Sequence, residues 1–556
     1  MKKLENMLEH RLNEDNGVPY PDFESMWRKI EQETIAPINA RLSGGVPSPR
    51  RNWSKVAVVA SFSVLLAAAP VYAAVQYDWD SILRGKGGVQ AVLAQDLGQQ
   101  LDQSVSQGGV TMKLHTAIVD ENRTIILFTL DVGKRLENEA WNVNGMSLKD
   151  AAGKSSSNEF SYVLWDEKSQ LYNGYFESDW IPKRETVNVQ LVVDNLQAYS
   201  EQEVNLPLDI HSAKLQSFSI GQEGMRSIEV KPFTQGQDKV LFSSAIAFDQ
   251  EEAKEWTFPR IIGYKNGTLI NSLEGGTFGT PGEKGEYTSQ QYFKAEDVSS
   301  GDMTYKLQYM KKEKNVEGLR AFDLQLSKKQ MESGTIKTQL NLPLEKGNTD
   351  HTLEDMIVTP TQIRVTIRSK DVDTSFPYKK YALEVAGKTL EGNLWRSPEG
   401  ERELTVLRFE RPADLEITES TPISFVAKYK VTTHGSFKMK NEDKLPLQLT
   451  NISEQKQTLI QQLGGYPVKW TYYMQGADLY VETESEDARF GGINQTHIGL
   501  GKERILGRPV TANFAGDGNN KAIDIYKDFK GTEATIYHFF YTTDDPDQET
   551  SVQIQP

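Results

Sequence analysis

The chemistry open to this chain is limited first by composition, because none of its 556 residues is a cysteine. The absence of thiols excludes disulfides, zinc sites with cysteine ligands, iron–sulfur clusters and cysteine nucleophiles. The seven histidines are scattered, with neither an HExxH motif nor a pair at metal-ligand spacing. A GxSxG nucleophile elbow and a complete P-loop are missing as well. The sequence therefore predicts a protein that is not an enzyme and that uses no cofactor.

Three segments carry residue types that could bind an ion or a phosphate, and each is better explained as a turn. The glycines of residues 275–287 lack the Gly-Lys-Ser/Thr of a phosphate loop and predict a long hairpin tip. Asp371 and Asp373 begin like a calcium loop, but Phe376 stands where that loop needs glycine. An acidic cluster near the C-terminus leaves open a weak cation site, with a solvated turn preferred: Asp544, Asp545, Asp547 and Glu549.

The charge balance also narrows the range of partners. The chain has 62 Lys and Arg against 77 Asp and Glu, a net charge of −15, which argues against direct binding of nucleic acid. Aromatic residues make up 10% of the chain and charged residues 25%, both ordinary for globular proteins. A chain of this length predicts several domains.

Residues 53–77 are predicted to form a transmembrane helix. The run from Val56 to Val75 contains no charged residue, and about 20 apolar residues suffice to cross a bilayer core of about 30 Å. Pro70 removes one helical hydrogen bond and is expected to bend the last turn. The residues chosen to mark the span are Val56, Phe62, Leu65, Leu66, Pro70 and Val75.

Basic residues before this run and acidic ones after it predict its orientation. Arg50, Arg51 and Lys55 precede the span, whereas Asp78 and Asp80 follow it. The positive-inside rule then places the N-terminus in the cytoplasm and the C-terminal bulk outside a single-pass cell-membrane protein. A cleaved signal peptide and a buried core helix are the alternatives. More than fifty residues precede the run, which disfavours a signal peptide, since signals span about 15–30 residues.

Residues 1–52 form the predicted cytoplasmic tail, with two short amphipathic helices separated by Asn16-Gly17. Two helices this short cannot bury their apolar faces against each other well enough to be stable alone, so we expect a partner. The predicted partner-binding residues lie at helical spacing: Leu4, Met7, Leu8, Leu12, Phe23, Met26, Trp27 and Ile30. A tail that lies on membrane lipid is the alternative, but its eight basic residues only balance eight acidic ones.

After a predicted helical linker at residues 78–103, the hydrophobic period changes to two, which indicates antiparallel strands. Four pairs of such runs predict hairpins: residues 110–130, 227–248, 356–368 and 468–483. The tripeptide Leu-Pro-Leu recurs three times after strand-like runs, ending at residues 208, 344 and 447. These positions divide the outer part into four predicted immunoglobulin-like β-sandwich units of a mainly β protein: residues 104–208, 209–344, 345–447 and 448–556.

Two segments carry a resemblance to a known family. The tail segment PYPDFESMWRKIEQE (19–33) and the stretch AQDLGQQLDQSVSQGGVTMKLHTAIVDENRTIILFTL (94–130) resemble membrane-anchored anti-sigma-factor-like proteins of Gram-positive bacteria. Many members of that group are known only as domains of unknown function. The likeness covers residues 19 to about 130 well and the later units more loosely.

The resemblance implies a cytoplasmic tail that sequesters an extracytoplasmic-function sigma factor and an ectodomain that senses the state of the envelope. Proteolysis outside and then within the membrane would release the sigma factor. The sequence departs from the zinc-containing subclass, whose His-Cys-Cys cluster cannot form without cysteine. The alternative function is a cell-surface protein whose sandwiches bind cell-wall polymer or another envelope protein.

Overall fold

A computed structural model describes residues 77–555, except for 137, 156–158, 213, 236–238, 283–284, 299–302, 371–375, 396–402, 436–444 and 512–520. The predicted tail (1–52) and nearly all of the predicted span (53–77) lie outside the described residues. Within the described part of the chain, every helix is too short or too polar to cross a membrane.

The first part of the described chain contains two short helices and seven strands. The helices are α1 (Trp79–Ile82) and α2 (Gly87–Ala94). The strands are β1 (Gln99–Gln107), β2 (Val110–Val119), β3 (Thr124–Asp131), β4 (Glu139–Asp150), β5 (Glu159–Asp166), β6 (Leu171–Ser178) and β7 (Thr186–Leu206). Five of these strands form one sheet in the order β1-β2-β3-β6-β5.

The next part adds eight strands, a 3-10 helix (Glu251–Glu255) and the helices α3 (Ala295–Val298) and α4 (Lys329–Glu332). The strands are β8 (Gln216–Gln222), β9 (Met225–Gln235), β10 (Lys239–Phe248), β11 (Arg260–Lys265), β12 (Thr268–Ile270), β13 (Leu273–Pro281), β14 (Tyr287–Lys294) and β15 (Met303–Ser327). Five of them form the sheet β13-β14-β10-β9-β8, and the other three join β7 and β4 of the first part in the sheet β12-β11-β15-β7-β4.

Seven strands follow: β16 (Ile336–Glu345), β17 (Asn348–Val358), β18 (Gln362–Ser369), β19 (Tyr378–Val385), β20 (Lys388–Trp395), β21 (Leu404–Glu410) and β22 (Ile423–Gly435). Together with two later strands they form a nine-stranded sheet. Its first seven members lie in the order β16-β17-β18-β21-β20-β19-β22.

The last part comprises a 3-10 helix (Gly501–Glu503) and eleven strands. The strands are β23 (Leu447–Leu449), β24 (Gln457–Leu463), β25 (Tyr466–Gln475), β26 (Asp478–Glu484), β27 (Phe490–Ile493), β28 (Thr496–Ile498), β29 (Ile505–Leu506), β30 (Arg508–Thr511), β31 (Ala522–Tyr526), β32 (Ala534–His538) and β33 (Phe540–Gln555). They form the sheets β23-β32-β28-β29 and β24-β25-β26-β31-β30, and β33-β27 completes the nine-stranded sheet.

The prediction of a mainly β protein built of antiparallel sheets is confirmed. The four predicted hairpins are the antiparallel pairs β2–β3, β9–β10, β17–β18 and β25–β26. Alternating burial explains why the sequence indicated them: in β2, for example, Val110, Met112 and Leu114 are buried while the residues between them are half-exposed. Strands β13 and β14, which the glycine-rich segment 275–287 overlaps at its two ends, also pair antiparallel.

Four large apolar cores hold these sheets together. The first core includes residues of β2, β3, β4, β6, β7 and β15. The second lies among β7–β11, β14 and β15, the third among β16–β22, and the fourth among strands from β23 onward. The assignment of four immunoglobulin-like units stays a prediction, since each core is defined here by its buried side chains alone.

Two very long strands belong to two cores each. The N-terminal part of β7 pairs with the C-terminal part of β15 over the first core, and the other ends of the same strands pair over the second. As a result Val316, Phe322 and Leu324 lie in the first core, although they come after all buried residues of the second core in the sequence. The third and fourth cores are joined similarly through β33, which pairs with both β22 and β27.

Two further contacts, which we call the first and second seams, join the half that contains the first and second cores to the half that contains the third and fourth. The first seam lies between the first and third cores and contains the polar contacts of Arg123 with Thr361 and Glu410. The second seam lies between the second and fourth cores, where one apolar cluster collects residues of both: Phe233, Leu241, Tyr292, Tyr480, Val510 and Ile523. The four cores therefore form a closed ring.

The linker predicted to be helical over residues 78–103 differs from the structure in its second half. Only α1 and α2 are helical, and the chain becomes strand at Gln99. Leu101, which fitted the helical pattern, lies in β1 and packs against the first core. The reason is that β2 offers an unpaired edge, and pairing with it satisfies the backbone of β1. The three Leu-Pro-Leu tripeptides do not occupy equivalent positions relative to the strands. The first begins at the last residue of β7, the second lies inside β16, and the third ends at the first residue of β23.

Candidate functional site: a buried ionic network at the first seam

Six ionisable side chains meet at the first seam. We call them the Arg123 network: Lys86, Arg123, Glu177, Asp179, Arg408 and Glu410. Four of them come from three segments of the first half. Lys86 is the N-cap of α2, Arg123 lies in the turn between β2 and β3, and Glu177 and Asp179 lie at the end of β6. The end of β21, in the third core, supplies Arg408 and Glu410. Because three cations meet three carboxylates, the formal charge of the cluster is zero.

Arg123 lies at the centre, with its side chain only 1% exposed. Its Nη1 donates to Glu177 Oε1 at 3.1 Å and to Glu410 Oε1 at 2.7 Å, and its Nη2 donates to Glu410 Oε2 at 2.9 Å. Nε donates to Thr361 Oγ1 and Nη2 to the Thr361 carbonyl, both at 3.1 Å. Every guanidinium donor thus has an acceptor, which is the condition under which a buried arginine is tolerated.

The turn that presents Arg123 is fixed by Asp120. Its Oδ1 accepts from the backbone N–H groups of Asn122 and Arg123, at 2.8 and 3.0 Å. Its Oδ2 accepts from Thr361 Oγ1 at 2.6 Å, which ties the turn to the third core. Asn122 adds two more bonds across the seam, from Nδ2 to the carbonyls of Ile357 and Gln362. This turn is therefore held in place before any ion pair is counted.

Lys86 connects the helical segment to both sides of the seam. Its Nζ lies 2.7 Å from Glu177 Oε2 in the first half and 3.4 Å from Glu410 Oε1 in the second. The helix behind it fits closely, because a Cβ added at Gly88 would lie 2.5 Å from the Thr361 carbonyl. Val89 and Val92 of α2 are buried against the outer face of β2 and β3. The chain that follows the predicted span is thus packed at the seam.

Arg408 closes the other end of the network. It lies within 3.5 Å of Glu177 Oε1 and pairs with Asp179, whose Oδ2 accepts from Trp395 Nε1 at 2.8 Å. The guanidinium also stacks over the Trp395 ring, 3.9 Å from its centroid. Arg408 and Trp395 belong to the third core and Asp179 to the first, so these contacts cross the seam as well.

Burial and charge act in opposite directions on these groups. Burial alone would raise the pKa of Glu177, but Arg123, Lys86 and Arg408 lower that pKa to about 2. Burial likewise raises the pKa of Glu410, and Arg123 outweighs it, so the net pKa is lowered. For Arg123, burial lowers the pKa and the carboxylates of Glu177 and Glu410 raise it above its ordinary value. Glu177, Glu410 and Arg123 are therefore charged at neutral pH.

This arrangement suits attachment and not catalysis. Each carboxylate is held by at least one cation, and the Lys86 ammonium lies against two carboxylates, so none of these groups is free to act as a general base or a nucleophile. In the described part of the chain, no group of three or more His, Asp or Glu side chains is placed to hold a metal ion. The network can act as a latch that is closed only when the two halves meet.

The residues predicted to bind a partner or to mark the span lie outside the described residues. Among the weaker candidates, Asp371 and Asp373 also lie outside them. The acidic cluster is part of strand β33 and not of a turn, and three of its four members form separate ion pairs: Lys379 with Asp544, Arg489 with Asp547 and Lys428 with Glu549.

Two histidines in strands have hydroxyl groups as hydrogen-bond partners. His115 Nε2 lies 3.0 Å from Thr129 Oγ1, and burial lowers the pKa of His115 to about 4. His351 bonds Ser369 in the same way, at 3.1 Å.

Sequence reasoning did not identify the Arg123 network. The available signal was the turn Asp120-Glu121-Asn122-Arg123 between two strongly apolar strands, where a charged residue is close to buried neighbours. Nothing in the sequence could pair that turn with Glu410, 287 positions later.

Comparisons with other proteins give a family match for only part of the chain. No curated protein matches its sequence. A conserved domain protein from Bacillus anthracis, known from a crystal structure, aligns at 11% identity over 57% of this chain and 90% of that one, with a TM-score of 0.16. The Escherichia coli adhesin FdeC aligns at 9% identity over 59% and 94% of the two chains, with a TM-score of 0.09. Neither score indicates a shared arrangement. Residues 48–131, which include Lys86 and Arg123, match the family described as "Domain of unknown function (DUF4179)".

Proposed function

We propose that the chain is a single-pass membrane regulator of the anti-sigma-factor type. Its cytoplasmic tail, residues 1–52, sequesters an extracytoplasmic-function sigma factor, and its ectodomain senses the state of the cell envelope. The tail contacts the partner through its two apolar stripes, centred on Phe23 and Trp27.

One structural observation carries the proposal: the segment that follows the predicted span is packed between two halves of the ectodomain. Lys86 forms ion pairs with Glu177 on one side of the seam and Glu410 on the other. A plain anchor needs no such contact. A sensor does, because the arrangement of its outer domains has to alter the chain next to the membrane.

The family match supports the same proposal. The matched residues, 48–131, run from the basic segment before the span to the end of β3. They therefore include the predicted membrane anchor together with Lys86 and Arg123 of the Arg123 network. The resemblance of residues 19–33 and 94–130 to anti-sigma-factor-like proteins adds the cytoplasmic partner.

The mechanism that follows uses the seam as a switch. A ligand or a force that separates the first and third cores removes Glu410 from Arg123 and Lys86, and α2 loses its contact with residues 360 and 361. The segment after the span then becomes accessible to a protease. Cleavage there and within the membrane frees the tail and its sigma factor.

The test is capture of partners by the full-length tagged chain from membranes of its source organism. The matched control is Phe23→Ala/Trp27→Ala, which removes two aromatic anchors from one helical face. If Trp27 is a central anchor, Trp27→Ala alone weakens binding by about 2 kcal/mol or more. Recovery of a sigma factor with the parent chain, and its loss with the double variant, is the expected result.

Recovery of the same proteins by both chains would remove the tail from the mechanism. The function would then lie outside the cell, and the ectodomain would next be assayed against isolated cell wall. A second arm keeps the sensing step separate: Arg123→Met should raise transcription from the sigma factor's promoters without any external signal, because the seam is weakened.

A further inference from the structure

Strand β5 exposes an apolar strip on one face. Phe160, Tyr162 and Leu164 alternate along the strand and are 48%, 44% and 39% exposed. Among the described residues, no other strand leaves three large apolar side chains exposed on one face. Contiguous exposed apolar residues usually mark a surface that contacts a partner or a membrane, whereas single ones need no explanation.

The strip lies beside the point where the described chain begins. Helix α1 packs on the same outer face, against β5 and β6. Asp78, its N-cap, is close enough to Asp166 and Lys168 at the end of β5 for their charges to act on its carboxylate. Tyr175 of β6 is buried beside the strip and packs with the helices, and its ring lies 5.9 Å from that of Phe160 and 6.2 Å from that of Tyr162.

The distance to the predicted membrane is set by chain length. The apolar run ends at Val75, and Tyr77 is only two residues away. At about 3.3–3.6 Å per residue, Tyr77 lies within about 7 Å of the end of the span. The strand that packs against α1 therefore lies close to the bilayer surface. Tyrosine is suited to that region because its apolar ring and its hydroxyl both find partners there, and phenylalanine and leucine add apolar surface.

We propose that the outer face of β5 rests on the outer leaflet of the membrane in which the chain's own span is anchored. The inference builds on the proposed function, because it takes the span to be in the bilayer. The strip would hold the first core against the lipid interface, so that separation of the seam moves the third core and leaves the first in place.

The absence of cysteine makes a direct test simple. A fluorophore such as NBD is attached to a single introduced cysteine in the full-length chain, reconstituted in phosphatidylcholine nanodiscs that contain doxyl-labelled lipid. Tyr162→Cys reports on the strip and Leu65→Cys on the span. The control is Ile460→Cys, because Ile460 is an apolar surface residue, 68% exposed, on strand β24 of the fourth core. We expect lipid quenching at positions 162 and 65 but not at 460.

Two further results decide between occupants. Adding Phe160→Ser and Leu164→Ser to the chain labelled at 162 should bring its quenching down to the level of the control. A label at 162 that is shielded from aqueous iodide but not quenched by lipid would mean a protein partner there, and would overturn the proposal.

The two proposals fail in different ways. Quenching at 65 without quenching at 162 overturns the contact of β5 with lipid and leaves the membrane anchor intact. No quenching at 65 means that the span is not in the bilayer, which overturns the membrane-anchored regulator together with the inference built on it.

Discussion

At the scale of the residue, Arg123 shows why a buried charge can be retained. Removing a guanidinium from water costs several kcal/mol, and only complete pairing offsets that cost. Here Thr361, Glu177 and Glu410 accept all of its hydrogen bonds. Two of these residues belong to the third core, so the charge is satisfied only while the seam is closed. The same guanidinium would be poorly solvated in a partly opened seam, which makes the closure cooperative.

The first prediction concerns this residue. Arg123→Met leaves the buried Glu177 and the partly buried Glu410 without their main cation, so we expect the free energy of unfolding to fall by about 3–5 kcal/mol. The matched control is Arg226→Met, which breaks an ion pair with Asp249 in which both side chains are more than 60% exposed. That change should cost about 1 kcal/mol or less. Urea denaturation measures both, and equal losses would contradict a special role for Arg123.

A second buried residue gives the chain a pH dependence. Asp524 is 4% exposed, and its Oδ2 accepts from the N–H and the hydroxyl of Thr496, at 2.6 and 2.5 Å. Burial raises the pKa of Asp524 to about 7. An acid whose pKa is raised by folding binds its proton more tightly in the folded state. Its contribution to stability therefore falls as the pH rises from about 4 to about 7.

The corresponding variant is Asp524→Asn, which keeps an oxygen acceptor for Thr496 and cannot ionise. We expect the difference in melting temperature, variant minus parent, to increase between pH 4.5 and pH 8. Comparing the two chains at each pH removes the contribution of all other ionisable groups. A difference that stays constant over this range would show that Asp524 does not titrate there.

At the scale of the element, α2 is positioned by two glycines. A Cβ at Gly87 would lie 2.8 Å from the Ala413 nitrogen, and one at Gly88 would lie 2.8 Å from the Pro360 carbonyl. These neighbours are backbone atoms of the third core, which cannot move aside as a flexible side chain would. The helix therefore approaches the third core more closely than any other residue type would allow.

Gly88→Ala tests this fit. In a free helix the change would stabilise by roughly 1 kcal/mol, because alanine has the higher helix propensity. At the seam we expect the opposite sign, a loss of about 1–3 kcal/mol from overpacking. Ala94→Ser, at the exposed end of the same helix, is the control and should stay within about 0.5 kcal/mol of the parent. Stabilisation by Gly88→Ala in thermal or urea unfolding would mean that α2 is not held against the third core.

At the scale of the whole molecule, the ring of four cores has two kinds of junction. Long strands join the first core to the second and the third to the fourth, through continuous backbone pairing. In the described part of the chain no strand pairs with another across the two seams, where side chains of one half meet side chains and backbone carbonyls of the other. In the second seam, Lys231 lies 4.2 Å from the centroid of the Tyr480 ring and 3.0 Å from its hydroxyl. The seams are therefore where the halves can separate without unfolding.

A double-mutant cycle across the two seams tests the ring. Ile523→Ala weakens the second seam, where Ile523 is fully buried, and Arg123→Met weakens the first. If the halves separate as a unit, the double variant should lose less than the sum of the two single losses, by about 0.5–3 kcal/mol. Ile523→Ala combined with Arg226→Met should be additive. Additivity in both pairs would mean that each seam opens independently.

Local pairing of strands could be predicted from the sequence alone. Period-two patterns in residues 110–130 and 468–483 predicted hairpins that the structure contains, because alternation of buried and exposed side chains is a property of a few consecutive residues. The apolar run at 56–75 and the two stripes of the tail gave predictions that lie outside the described residues. Leu97 and Leu101 continue a helical spacing of apolar residues, but the prediction of a helix in the second half of residues 78–103 was wrong, because an edge strand nearby competes for the same backbone groups.

Which cores contact each other depends on tertiary packing and could not be predicted from the sequence. The 25-residue strand β15 passes from the second core into the first, so residues distant in the chain complete a core. The turn at Asp120–Arg123 meets Thr361 and Glu410 for the same kind of reason. A buried charge finds its partner through the packing of whole sheets, and no short pattern in the sequence records that packing.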